Sequence, residues 1–216
     1  MSLTVSSISF GYAAGAELIS DLSLSVGAGE SAVIMAPSGT GKSTLLSILG
    51  GLRAPTAGGV RIERDGEESG ALPRPEVAWV FQAMHLMPRR TVIDNVAVAA
   101  LARGWARSHA EEVAQRELDR FGVAHLRDRR QSTLSGGESQ RVALARASVA
   151  DPHVVLADEP TANLDVGNAR IVAEAFNGGF PRAAVVVATH DPVLAGAATQ
   201  AYTLTDGRLV RHGKDA

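Results

Sequence analysis

An α/β fold with a parallel sheet at its centre is predicted by three observations. A glycine-rich loop at residues 36–44 joins a short apolar run to a helix-length segment. Two apolar runs, residues 154–157 and 183–188, are continuous and bounded by polar residues, as strands buried on both faces are. From about residue 91 to 149 the spacing of apolar residues turns from strand-like to helical.

Taken in order, Leu3, Val5, Ile8 and Phe10 sit near a period of two, as do Leu22, Leu24 and Val26. Both segments read as half-buried strands joined by a turn at residues 13–16. Residues 31–36 form a strand leading into the glycine loop. Residues 43–52 then read as a helix with Leu45, Leu46, Ile48 and Leu49 on its inner face. A strand is expected at 60–63, and a polar surface loop rich in Gly and Pro at 64–75. Residues 77–81 form a strand ending at Gln82. Helices are predicted over 92–101, 109–121 and 136–149. Asp206-Gly207, between residues 202–205 and 208–211, signals a closing hairpin.

Composition narrows the function. The net charge of −2 provides no basic field for nucleic acid or an anionic membrane, so no nucleic-acid partner is expected. The chain has no cysteine, which excludes disulfides, thiolate metal sites and a cysteine nucleophile. The amino terminus lacks a basic segment followed by an apolar one, so no signal peptide is read. No apolar run approaches the roughly 20 residues that span a bilayer, so a membrane role would need a partner.

The loop Ala36-Pro37-Ser38-Gly39-Thr40-Gly41-Lys42-Ser43-Thr44 lies between a strand and a helix, the context of a P-loop. Its glycines let successive N–H groups face phosphate oxygens, and the helix adds its positive end. Lys42 suits the β and γ phosphates of ATP, and the Ser43 hydroxyl suits Mg2+. The first position of the motif is Ala36 rather than Gly. A positive φ there would cost about 1 kcal/mol or more. The run at 154–157 ends in Asp158-Glu159, at the strand end where ligands bind in open α/β sheets. Asp158 is placed to hold the Mg2+ hydration shell, and Glu159 to orient and deprotonate water. A third element, Leu134-Ser135-Gly136-Gly137-Glu138-Ser139-Gln140-Arg141, puts a serine and two glycines before a helix. It reads as a second anion-binding helix start, suited to a γ-phosphate held by another copy of the chain.

Residues 134–141 resemble the LSGGQ signature of the ABC ATPase superfamily, with Glu138 in the usual Gln position. The resemblance covers roughly residues 3–211. It implies a P-loop NTPase (RecA-like) parallel-sheet core, an N-terminal antiparallel β subdomain and an inserted helical subdomain at about 83–150, all in one domain spanning 1–216. It implies further roles. Gln82 is similar to the Q-loop glutamine that touches Mg2+ and the attacking water. Asn163-Leu164-Asp165 resembles the D-loop at a dimer interface, with Asp165 near the nucleotide. His190 resembles the switch histidine at the γ-phosphate, and Tyr12 the aromatic that stacks on adenine. Residues 80–88, followed by 91–96, look like the short subunits of the lipoprotein-release and macrolide-export subfamily.

The implied activity is ATP hydrolysis in a nucleotide-sandwich homodimer, with Glu159, His190, Gln82 and Lys42 catalytic. Ser135, Gly136, Gly137 and Glu138 would close over the nucleotide of the other chain. A membrane permease subunit would dock near residues 82–88, where Met84, Leu86 and Met87 either touch it or fill the core. The expected location is cytoplasmic, peripheral on the inner face of the membrane. A soluble or signalling ABC ATPase and a P-loop kinase are the alternatives. The kinase leaves residues 134–141 unexplained. The transported substrate, the direction of transport and the partner are not encoded in these motifs.

Overall fold

The computed structural model describes residues 1–12, 17–37, 39–64, 67–69 and 76–212. The predicted turn at 13–16, Ser38 of the P-loop, and residues 65–66 and 70–75 of the predicted loop lie outside them. Two sheets form. The first has four strands in the order β2-β1-β4-β5, all antiparallel: β1 (Ser2–Phe10), β2 (Ile19–Gly27), β4 (Ala57–Arg64) and β5 (Glu67–Ser69). The second has six, ordered β10-β9-β3-β8-β7-β6. There β3 (Ser31–Met35), β6 (Val77–Phe81), β7 (Val154–Asp158), β8 (Ala184–Thr189) and β9 (Gln200–Thr205) run parallel, and β10 (Arg208–Arg211) returns antiparallel through the Asp206-Gly207 hairpin. The α/β fold class is therefore as expected.

The continuous apolar runs have a direct cause. Alternate residues of the central strands enter two different cores. Val33, Val80, Val155, Ala157, Val185 and Val187 face one core, shared with α2 (Val92–Ala102), α3 (Arg107–Arg120), α4 (Gly136–Val149) and α5 (Val166–Gly179). Ala32, Ile34, Val154, Leu156, Val186 and Ala188 face the other, shared with α1 (Lys42–Leu49) and the antiparallel sheet. A strand sandwiched in this way has no solvent face to carry polar residues.

Several expectations change. The helix predicted over 43–52 starts at Lys42 and stops at Leu49, and Leu52 is exposed. A left-handed Gly51 and bonds from the Leu52 and Arg53 N–H groups to the Ser47 carbonyl close the turn. The loop expected at 64–75 contains a strand, because residues 67–69 pair with 62–64 through backbone bonds that need no apolar alternation. The near-period of two in β1 breaks between Val5 and Ile8, where the register shifts and Ser7 takes φ 45. This bulge returns Ile8 and Phe10 to the buried face. Helix α5 and the short α6 (Pro192–Ala197) were not predicted. Ala36 does not occur among the residues with positive φ, so the substitution of Gly there carries no backbone penalty.

Candidate active site

The parallel strands end at one edge of the sheet, and their register sets what meets there. Phe81 pairs with Asp158, Asp158 with Ala188, and Met35 with Thr189. The residue after each strand is then Gln82, Glu159, His190 or the opening of the P-loop. Segments some 30 to 150 residues apart in sequence are so brought to one place.

A cavity of about 560 Å3 opens at this edge, lined by Tyr12, Gly39, Gly41, Lys42, Ser43, Thr44, Gln82, Asp158 and Glu159. Leu18, Phe81 and Ala83 complete the wall. Leu18 was invisible to motif reading, yet it fixes a requirement at Gly41. A Cβ there would lie 2.9 Å from Leu18 Cγ, and the residue has φ 99.

Within the cavity the charged groups are interlocked. Lys42 Nζ donates to the Ala36 carbonyl at 2.5 Å and lies 3.2 Å from Glu159 Oε1. The Lys42 side chain is 8% exposed and that of Glu159 16%, so the pair is largely screened from water. Thr189 Oγ1 donates to Glu159 Oε2 at 3.0 Å, and His190 Nδ1 stands 3.0 Å from the same oxygen. Burial pushes the Glu159 carboxyl upward, but the bonds from His190, Lys42 and Thr189 outweigh it and hold the group below its ordinary value. Ser43 Oγ donates to Asp158 Oδ2 at 2.7 Å. Glu159 takes φ 48, a left-handed conformation uncommon for a residue other than glycine.

The signature segment is elsewhere. Ser135 to Glu138 and Asp165 are not among the residues lining the cavity. Ser135 caps α4, and Glu138 completes a capping box. Glu138 Oε2 accepts from the Ser135 N–H at 2.7 Å and from its hydroxyl at 2.8 Å. Those bonds, backbone first, hold the Glu138 carboxyl below its usual range. The glutamate in the signature is thereby accounted for: it is the carboxylate of a cap. Asp165 caps α5, accepting from the Asn168 N–H at 2.9 Å and its amide at 2.6 Å. The two caps are neighbours, since a Cβ on Gly136 would meet Leu164 and one on Gly137 would meet Asn168. His190 bridges the two regions. It touches Glu159 and lines a second cavity, of about 320 Å3, with Asn163 and Leu164.

Leu86 is buried and Met84 packs partly against the same core, so two of the three candidate partner contacts fill the interior at least in part. The segment is pinned. Arg146 donates to the carbonyls of Met84 and His85, both at 2.8 Å, and buried Asn95 bonds both backbone groups of Met87. Arg146, Asn95, Thr189 and Leu18 were missed from sequence, because each acts through contacts that spacing does not reveal.

Residues 19–162 match the family described as ABC transporter. The chain belongs to that family. Among similar proteins, the lipoprotein-releasing system ATP-binding protein LolD of Saccharophagus degradans is 38% identical, over 94% of each chain. The LolD of Gluconobacter oxydans is 41% identical, over 90% of this chain and 87% of its own. Among solved structures, an ATP-binding cassette captured as a dimer in a post-hydrolysis state with ADP and Pi superposes with a TM-score of 0.80 at 28% identity, covering 99% of both chains. The chain is thus an ATP-binding, ATP-hydrolysing subunit of an ABC transporter, within the LolD-like group. Among the described residues, no helix of this ABC subunit is long and apolar enough to cross a membrane.

Proposed function

We propose that this subunit hydrolyses ATP at a site shared between two copies and that it energises a membrane partner of the lipoprotein-release type. In this reading the adenine lies on Tyr12, and residues 36–44, including Pro37, Ser38 and Thr40, cradle the phosphates. Lys42 faces the β and γ phosphates. The observation that carries the reading is the interlock of Lys42, Glu159, Thr189 and His190 at the sheet edge. It places a screened carboxylate beside the cation that a triphosphate would engage.

The donor set fits Mg2+. This ion is commonly held by one or two protein oxygens together with substrate phosphates and water. Ser43 Oγ and Asp158 Oδ2, 2.7 Å apart, supply two hard oxygens, and Gln82 stands on the same wall. Among the described residues no group of three or more acids and histidines gathers elsewhere as a metal cage. When bound, Mg2+ supplies positive charge against the phosphates.

Glu159 accepts the proton of the attacking water, and His190 orients Glu159 from the opposite side to Lys42. A phosphate engaging Lys42 competes with the Lys42–Glu159 contact, so substrate binding frees the base. Ser135, Gly136 and Gly137 lie away from the cavity and serve the second copy, with Asp165 setting the start of α5 beside them. Glu138 holds the Ser135 cap. The homodimer is supported by the dimeric cassette this fold matches. The partner class, a membrane permease subunit docked near residues 82–88, is supported by the lipoprotein-releasing relatives. In this reading the subunit sits at the inner face of the membrane through that partner.

The test is Glu159→Gln. It should keep ATP binding and lower turnover by about 10²- to 10⁴-fold, the contribution of a general base. Near-normal turnover would remove Glu159 from the role assigned here.

A further inference from the structure

An exposed aromatic ring makes a good stacking platform only if something holds it. Tyr12 is 55% exposed, and three contacts fix it. Its hydroxyl lies 2.9 Å from Thr44 Oγ1 in the first turn of α1. Its ring meets Phe10 edge-on, with centroids 5.1 Å apart at 89°. The Arg53 guanidinium carbon stands 5.0 Å from the Tyr12 centroid and 5.2 Å from that of Phe10, in the corner between the rings. Arg53 makes no ion pair with a carboxylate among the described residues, so its charge is directed at the rings.

Arg53 is itself held on two sides. Its N–H bonds the Ser47 carbonyl at 3.1 Å, tying it to the end of α1. Thr56, three residues on, donates twice to the Ser9 carbonyl of β1, from its N–H and its hydroxyl, both at 2.8 Å. Tyr12 lines the cavity beside the P-loop and Arg53 is not among the lining residues, so the cation over the ring does not itself fill the pocket.

We propose that Arg53 is a positioning residue for nucleotide recognition, backing the Tyr12 ring so that its pocket face receives the base. The inference rests on the reading of Tyr12 as the adenine platform. A guanidinium over one face draws π density toward itself, which favours an electron-rich purine on the other face. Restricting the ring beforehand lowers the cost of ordering it when ATP binds.

The experiment compares dissociation constants for MgATP and for inorganic tripolyphosphate, which lacks a base, in wild type, R53A, R53K, Y12A and the Y12A/R53A double variant. R53A should weaken MgATP about 2- to 5-fold, as expected for a partly exposed cation–π contact. It should leave tripolyphosphate unchanged and raise KM with kcat intact. R53K should keep most of the wild-type affinity, and R53A should add nothing in the Y12A background. Unchanged MgATP affinity in R53A, an equal loss of tripolyphosphate, or an undiminished effect without Tyr12 would each overturn the role of Arg53. If Y12A itself binds MgATP no differently from wild type, the reading of Tyr12 fails first and the inference goes with it.

Discussion

At Glu159, burial and charge act in opposite directions. Its carboxyl sits below the ordinary value of 4.5 because His190, Lys42 and Thr189 prevail over desolvation. A depressed folded pKa contributes stability that is fully present above the unfolded value and is lost as pH falls through the folded one. The urea midpoints of wild type and Glu159→Gln should therefore differ by a constant amount above about pH 4.5 and converge below it. A gap that stays constant down to pH 3 would show that the ionised carboxylate contributes nothing to the fold. The identity of this residue was legible as the second acid after an apolar run. Its left-handed backbone and its contact with Lys42 were not, because both depend on which strands lie side by side. Arg53 illustrates the same limit: no motif marks it, and its relation to Tyr12 exists because β1 and the end of α1 are neighbours in space.

Among the elements, α4 was read to the residue, because its cap is a local device written in Ser135 and Glu138. Helix α5 had an equally local cap in Asp165, and Ala169, Val172, Ala173 and Phe176 follow a helical period. Gly167, Asn168 and the glycines at 178 and 179 obscured it, since these residues favour turns when read alone. Strand β5 had no signal of any kind, being polar and held by backbone pairing. The packing of α4 on α5 makes a sharp prediction. A Cβ at position 137 would lie 2.3 Å from Asn168 Oδ1, and the Asn168 side chain cannot swing aside without losing its amide bond to Asp165. Gly137→Ala should lower the thermal midpoint by several degrees, as a loss of about 1–3 kcal/mol does, and Asn168→Ala should restore most of it. Failure of the second substitution to rescue the first would place the crowding elsewhere.

For the molecule as a whole, the sheet order explains why widely separated motifs converge, and why one group of them stays apart. The P-loop, Gln82, Asp158 and Glu159 gather at the carboxyl edge of parallel strands. Ser135 to Gly137 open a helix beside Leu164 and Asn168 and do not line the cavity beside the P-loop. The sequence could indicate two phosphate-binding elements, but their separation in one chain is a property of topology. In the proposed reading, that separation is why a second copy is needed, its helix start completing the site. The most direct test uses light scattering on Glu159→Gln, which should hold ATP with turnover strongly reduced. With MgATP it should show twice the 22.5 kDa of one chain, and with MgADP the mass of one chain. Adding Ser135→Arg should abolish the ATP-dependent species while ATP binding persists. A dimer that survives Ser135→Arg, or a single-chain mass in saturating MgATP, would contradict the shared site.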